Sequence, residues 1–166
     1  MGIAKTAFRK MEKVFISRSI KIKTRLWLLK CYVWFTLLNG CESWTISKLL
    51  QKTLEAIEMW FLRRMRKISW VEKLSNQTVL NRAGASKQLI NTIYTRQVCF
   101  LGHVLRKECF EELAVCGKIE DKRARGRQRL TFLQWIQRMS NMTPLEVIRC
   151  CCKDRKEHLV IANVSI

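Results

Sequence analysis

The sequence predicts an all-α fold, with a helical bundle followed by a basic loop and C-terminal helices. One proline and six glycines in 166 residues leave few interruptions of regular structure. The apolar residues recur three and four positions apart, as on one face of a helix, rather than at alternate positions as in a strand. A hydrophobic fraction of 48% is enough to build a core, so wholesale disorder is not expected.

Three helices are predicted in the first half of the chain. The first is expected over Ile3–Ile16 and the second over Ile22–Leu38, which Asn39-Gly40 ends because both residues tolerate the left-handed conformation. Ser47 is a good N-cap for the third, long helix. Its apolar positions form one stripe: Leu50, Leu54, Ile57, Phe61, Met65 and Ile68.

Two further helices are expected around a glycine turn. Ser75 or Asn76 caps a short helix to about Arg82, which Ala83-Gly84 closes, and Ser86 caps the next helix. The buried stripe of that next helix is expected to contain Ile90, Ile93, Gln97, Leu101 and Val104. Two helices joined by a tight turn also suggest a helix-turn-helix, although such a pair is more often ordinary core packing.

Helical periodicity is lost from Gly117 to Arg129 and returns near Leu130. The last helical section is expected to pause at Thr143-Pro144, with Thr143 as cap, and to continue to about His158. These breaks divide the chain into four predicted regions, residues 1–70, 71–116, 117–129 and 130–166.

The charge of the chain predicts a polyanionic partner. Thirty-two Lys and Arg stand against thirteen Asp and Glu, a formal net charge of +19. We expect RNA or DNA rather than a membrane surface, because the basic residues are spread over the whole chain instead of one amphipathic helix. The longest apolar run, Leu26 to Leu38, is interrupted by Lys30 and is shorter than the roughly 20 residues that cross a bilayer. A small-molecule substrate is not expected.

Two clusters of cations are candidate phosphate contacts. The first lies in the loop, where flexible guanidinium groups can reach several phosphates: Lys122, Arg123, Arg125, Arg127 and Arg129. The second is Arg63, Arg64 and Arg66 in the last turns of the long helix, where cations also complement the helix dipole. A solvated charge run or a nuclear import signal would explain the loop as well.

The six tryptophans lie at helical spacing and are expected mainly in the core. Trp44 and Trp70, beside predicted turns, are the two candidates for stacking on bases.

No catalytic residue and no cofactor are predicted. The chain has only two Asp, Asp121 and Asp154, and the adjacent Glu111 and Glu112 point in different directions on a helix, so no convergent pair of metal-binding carboxylates is visible. Phosphate-binding, dinucleotide-binding and nucleophile-elbow glycine motifs are absent from the sequence. The weak metal candidates Cys99, His103, Cys109 and Cys116 lack the close Cys pair of zinc sites.

Eight cysteines without a signal peptide at the N-terminus indicate reduced thiols inside a cell. The consecutive Cys150, Cys151 and Cys152 fan out around a helix and cannot converge on one ion. We expect an intracellular protein, and a nuclear one if the basic loop acts as an import signal.

Seven blocks of sequence follow one another along the chain. The first four are AKTAF (4–8), KTRLWLLKCYVW (23–34), NGCESWT (39–45) and LEAIEMWFLRRM (54–65). The others are RQVCFLGHVLRK (96–107), GKIEDKRARGRQR (117–129) and IANV (161–164). In this order, the blocks resemble the region after the palm in endonuclease-reverse transcriptases of non-LTR (LINE-type) retrotransposons.

The resemblance covers nearly the whole chain and implies a thumb-like helical region and a basic C-terminal region that hold template and primer. The endonuclease and the palm with its paired aspartates are absent from this sequence, so it implies no polymerase activity of its own, and Met1 is expected to be a fortuitous start inside a truncated element. Asn39 and His158 stand where relatives usually carry Tyr and Trp, which suggests relaxed constraint. An expressed relic without any binding role is the alternative.

Overall fold

The computed structural model describes residues 2–107, 110–116, 126 and 131–153. The predicted all-α class is confirmed: these residues form helices and turns, and they include no strand. They separate into two compact units that alternate along the sequence. The first unit comprises Met1–Asn39 and Gln51–Leu89, and the second comprises Gly40–Leu50 and the described residues from Ile90 onward.

The first unit begins with two helices, α1 (Gly2–Lys10) and α2 (Glu12–Ile16), so the single helix expected over Ile3–Ile16 is wrong. The interruption at Met11 has a physical reason in the two phenylalanines around it. Phe8 and Phe15 are both fully buried, and their rings stack 4.7 Å apart. On a straight helix, residues seven positions apart would be separated by about 10.5 Å along the axis. The break therefore allows this stacked pair to form.

The second predicted helix forms as one continuous helical segment with a change of winding. Its parts are α3 (Ile22–Leu28), a π-helical turn (Leu29–Trp34) and α4 (Phe35–Leu37). The segment packs against α1, and Gly40, in the left-handed conformation at φ 68°, follows its end as predicted.

Helix α5 (Lys48–Arg66) is the long predicted helix, and Ser47 caps it by accepting a hydrogen bond from the Leu50 N–H at 3.1 Å. Four stripe residues are buried, namely Leu54, Ile57, Phe61 and Met65. The helix ends in a Schellman motif, in which Lys67 takes the left-handed conformation at φ 54° and the Ile68 N–H donates to the Arg63 carbonyl.

Buried Arg25 joins α3 to two other elements of the first unit. Its Nη1 donates to the Phe15 carbonyl at the end of α2, at 3.0 Å, and to the Met65 carbonyl at the end of α5, at 3.1 Å. Burial lowers the pKa of Arg25 from its ordinary value, with a smaller contribution from the nearby Arg66 charge. An arginine stays charged in proteins, so the two carbonyls compensate a buried cation.

After α5 come a short 3₁₀ turn (Trp70–Glu72) and α6 (Asn76–Ala83). Ser69 and Glu72 form a capping box around the 3₁₀ turn, which was not predicted from the sequence. The predicted limits of α6 are confirmed, since Ser75 accepts from the Thr78 N–H and Gly84 ends the helix at φ 58°.

The start of the next helix differs from the prediction. Helix α7 (Leu89–Leu105) is capped by the Glu58 carboxylate of α5, whose Oε1 accepts from the N–H groups of Gln88 at 2.9 Å and Leu89 at 3.2 Å. The proposed cap, Ser86, instead accepts from the Gln88 side chain. A cap from a distant helix leaves no local sequence signal, which explains the error.

The second unit is organised around Gln97 of α7, which is fully buried. Its Nε2 donates to the carbonyls of Cys41 and Trp44, in and just after a 3₁₀ turn (Cys41–Ser43), at 2.8 and 2.7 Å. Its Oε1 accepts from the indole N–H of buried Trp135 at 2.6 Å. The predicted stripe of α7 is confirmed, because Ile90, Ile93, Gln97, Leu101 and Val104 are all buried.

The other helices of the second unit are α8 (Phe110–Cys116), α9 (Phe132–Ser140) and α10 (Pro144–Lys153). Thr131 caps α9 through a capping box with Gln134. The predicted start of α10 is confirmed: Thr143, directly before Pro144, and Glu146 in the first turn of the helix form reciprocal hydrogen bonds. The expected continuation of α10 toward His158 lies outside the described residues beyond Lys153.

Replacing Arg25 by Met should destabilise the first unit by about 3 kcal/mol, because two buried carbonyls lose their charged donor. Urea unfolding followed by circular dichroism measures the loss. Arg82→Met is the control, since Arg82 is exposed in a surface ion pair with Glu72, and it should change stability by less than about 0.5 kcal/mol. Equal effects of the two substitutions would contradict the bridging role of Arg25.

The Glu58 cap makes stability depend on pH in a defined direction. Burial raises the pKa of Glu58 from its ordinary value of 4.5, against the opposing effect of the hydrogen bonds from Gln88 and Leu89. The contribution of a raised carboxyl pKa is fully present below pH 4.5 and is lost as the pH rises through the higher folded value. As the pH rises from 4.5 through the folded pKa, the free energy of unfolding of the wild type should therefore fall relative to that of Glu58→Gln. If the free energies of unfolding of the two proteins change in parallel with pH, Glu58 does not have a raised pKa.

Candidate nucleic-acid interface

The three arginines predicted at the end of α5 have different environments. Arg64 and Arg66 are exposed, whereas Arg63 is buried, with only 5% of its surface accessible. Arg63 Nη2 donates to the Leu74 carbonyl at 2.7 Å and to Asn76 Oδ1 at 3.1 Å. Its guanidinium thus holds the segment before α6 against α5. Sequence periodicity did not reveal this structural role.

Arg63 also positions an aromatic ring. Its guanidinium carbon lies 4.6 Å from the centroid of the Trp70 ring, a cation–π arrangement, while 73% of the Trp70 surface remains exposed. The capping box of Ser69 and Glu72 fixes the turn that carries this ring. Trp70 therefore presents an open aromatic surface from a held position.

A surface groove of about 640 Å³ lies beside these groups, entirely within the first unit. Residues from α2, the end of α5 and the turn after it line the groove: Glu12, Ile16, Trp60, Arg63, Arg64, Lys67, Ile68, Ser69 and Trp70. It combines the two exposed cations Arg64 and Lys67 with an exposed tryptophan. Two buried nitrogens of Arg63, Nε and Nη1, have no hydrogen-bond partner in the protein.

Glu12 is the acidic residue of the groove. Its carboxylate accepts a hydrogen bond from Arg64 Nε at 2.8 Å, and the side chain of Arg64 remains 56% exposed. The ion pair holds Arg64 at the groove and offsets part of its charge. A phosphate at this position would compete with Glu12 for the same guanidinium.

The burial of the tryptophans agrees only in part with the prediction from the sequence. Trp34 and Trp135 are buried as expected, but Trp27, which was expected in the core, is 62% exposed. Of the two stacking candidates, Trp70 is exposed and Trp44 is half-buried. Burial cannot be read from helical spacing alone, because the side of the helix that meets the core depends on its neighbours.

The loop cations predicted to contact phosphates, Lys122, Arg123, Arg125, Arg127 and Arg129, lie outside the described residues. Their role stays a prediction. Arg66 is exposed but is not among the groove residues.

For the weak metal candidates, Cys99 is a half-buried free thiol and His103, four residues further along α7, is exposed. Cys109 and the side chain of Cys116 lie outside the described residues. Within the part of the chain that is described, no three His, Cys, Asp or Glu residues are grouped so that they could hold a metal ion.

The helix-turn-helix hypothesis concerns α6 and α7 and stays a prediction. Residues 84–88 separate the two helices, and the boundary between the two compact units falls at Leu89, so α6 belongs to the first unit and almost all of α7 to the second.

Among the described helices, none is both long enough and apolar enough to cross a membrane. Comparisons of the chain with protein-family models, with curated proteins and with solved structures each find no match.

Proposed function

We propose that this chain is a non-catalytic nucleic-acid-binding remnant of a non-LTR retrotransposon reverse transcriptase. It contacts the phosphates of RNA or DNA without strong sequence preference and does not polymerise. The observation that carries this proposal is the groove, which is lined by the exposed cations Arg64 and Lys67 together with the exposed ring of Trp70. The family assignment rests on the sequence blocks that resemble such enzymes.

The chemistry of the groove fits a strand of nucleic acid. The cations Arg64 and Lys67 can each neutralise a phosphate, which releases bound counterions. The open face of Trp70 can stack on a base, and stacking tolerates any base because each has a π face. The positive charge of Arg63 behind the ring is held by the protein itself. These contacts recognise the phosphates and the faces of the bases rather than the base edges, so binding should be insensitive to the nucleotide sequence.

Replacing Arg64 and Lys67 together by Gln should weaken binding to a single-stranded RNA oligonucleotide. The slope of log K against log salt should become shallower by about 1.4, for two lost phosphate contacts at about 0.7 each. Fluorescence anisotropy over a salt series measures this slope. Arg9→Gln with Lys52→Gln is the matched control, because it removes two exposed cations away from the groove. Equal slopes for the two double variants would contradict the groove as the binding site.

Replacing Trp70 by Ala should weaken binding by roughly tenfold at a fixed salt concentration, because one base loses its stacking partner. Trp70→Tyr keeps an aromatic face and should restore most of the affinity. The salt slope should stay unchanged in both variants, since no phosphate contact is removed. Wild-type affinity of Trp70→Ala would contradict a stacking role.

Replacement of the loop arginines Arg123, Arg125, Arg127 and Arg129 tests the loop separately and should weaken binding to RNA and DNA of any sequence.

Glu12→Gln should raise the affinity for the same oligonucleotide about fivefold at low salt. The substitution frees Arg64 from its carboxylate and removes a negative charge from the groove, a gain on the order of 1 kcal/mol. Glu55→Gln is the control, since Glu55 forms an ion pair with Lys87 at 2.8 Å outside the groove and has the same charge. If both substitutions raise affinity equally, the effect is one of net charge and Glu12 has no special position.

A further inference from the structure

The groove beside Trp70 has an apolar part as well as a charged one. The cations Arg64 and Lys67 line it and are exposed. Four other lining residues are apolar and at least partly accessible: Ile16, Trp60, Ile68 and Trp70. Apolar surface stabilises a complex only when it is removed from water. A ligand that uses the whole groove must therefore offer apolar surface and negative charge together.

The protein itself holds both tryptophan rings of the groove. The Trp60 ring meets Phe8 and Phe61 edge-on, with the ring centroids 5.4 Å apart in both pairs. The Trp70 ring has the Arg63 guanidinium over one face. Since 73% of the Trp70 surface is exposed, the opposite face is the open one. A ring that is already held loses little conformational entropy when a ligand stacks on it.

Paired and unpaired nucleic acids differ in what they offer to such a groove. In a duplex the base faces are covered by the neighbouring bases, and only phosphates, sugars and base edges are accessible. Moving a paired base out of the stack costs free energy comparable with what stacking on an aromatic ring returns. An unpaired strand presents phosphates together with open base faces. It therefore matches both parts of the groove, whereas a duplex matches only the cations.

We propose that the groove selects unpaired nucleic acid over duplex. An unpaired base stacks on the open face of Trp70, and phosphates of the same strand contact Arg64 and Lys67. The half-buried Trp60 adds apolar contact beside them. This inference rests on the proposed nucleic-acid-binding function and names the class of nucleic acid that the groove takes.

The test measures the affinity of the full chain for a DNA strand without internal pairing and for the blunt-ended duplex of the same sequence. Fluorescence anisotropy is recorded at equal phosphate concentrations. Phosphate contacts alone favour the duplex, which has the higher charge density. We expect the single strand to bind roughly tenfold more tightly, because stacking on Trp70 is available to it alone. Equal or tighter binding of the duplex would overturn the proposal and leave the phosphate-binding function standing, whereas absence of binding to both at low salt would overturn that function as well.

Trp70→Ala assigns the preference to the groove. Its affinity for the single strand should fall roughly tenfold, while its affinity for the duplex should stay within about twofold of the wild type. Trp27→Ala is the matched control, because Trp27 is 62% exposed but does not line the groove, and this variant should keep the preference. A preference that survives Trp70→Ala, or that Trp27→Ala removes equally, would overturn the proposal. The comparison of the two DNA forms on the wild type needs no variant.

An acidic peptide with aromatic side chains also combines negative charge with planar groups. A copolymer of glutamate and tyrosine therefore serves as a competitor against the labelled single strand. We expect it to displace the strand only at a higher concentration of charge than the unlabelled strand requires. Displacement at a lower concentration would overturn the proposal, since the groove would then be a peptide site.

Discussion

The bridge made by Arg25 is the interaction on which the candidate interface depends. One guanidinium binds the carbonyl at the end of α2 and the carbonyl at the end of α5, and the walls of the groove come from these same two helices. Glu12 and Ile16 on α2 thereby face Arg64 and Lys67. The stacked rings of Phe8 and Phe15 complete the arrangement from the apolar side. The buried Arg25 thus positions the exposed Arg64 and Lys67.

The basic residues near the groove are of two kinds, buried ones that hold the fold together and exposed ones that can contact a partner. Arg25 and Arg63 are buried and donate hydrogen bonds to carbonyl and amide oxygens of the protein, so they hold secondary-structure elements together. Arg64, Arg66 and Lys67 are exposed. Exposed cations such as these, unlike the two buried arginines, can exchange counterions for phosphates. A net charge counted from the sequence therefore overstates the number of cations that can contact a partner.

Local patterns predicted the fold better than the site. Four of the six stripe positions of α5, the left-handed Gly40 and Gly84, and the Thr143-Pro144 start of α10 were predicted correctly, because they depend on neighbours in sequence. The break at Met11, the Glu58 cap of α7 and the inward direction of Arg63 depend on partners at least seven residues away, for which one sequence contains no signal. Trp70 was identified as a stacking candidate because it lies beside a turn. The capping box that holds this turn was missed, although Ser69 and Glu72 have the spacing of one.

The central claim is that the exposed cations and Trp70 bind nucleic acid through backbone and stacking contacts. The most direct test is the anisotropy of a labelled RNA hairpin and of a matched DNA duplex with the wild-type chain across a salt series, after a cooperative thermal transition has shown that the protein folds. We expect binding whose log K falls linearly with log salt and whose affinity differs little between unrelated sequences. Absence of binding at low salt would contradict it and would leave a folded relic whose charge serves no partner.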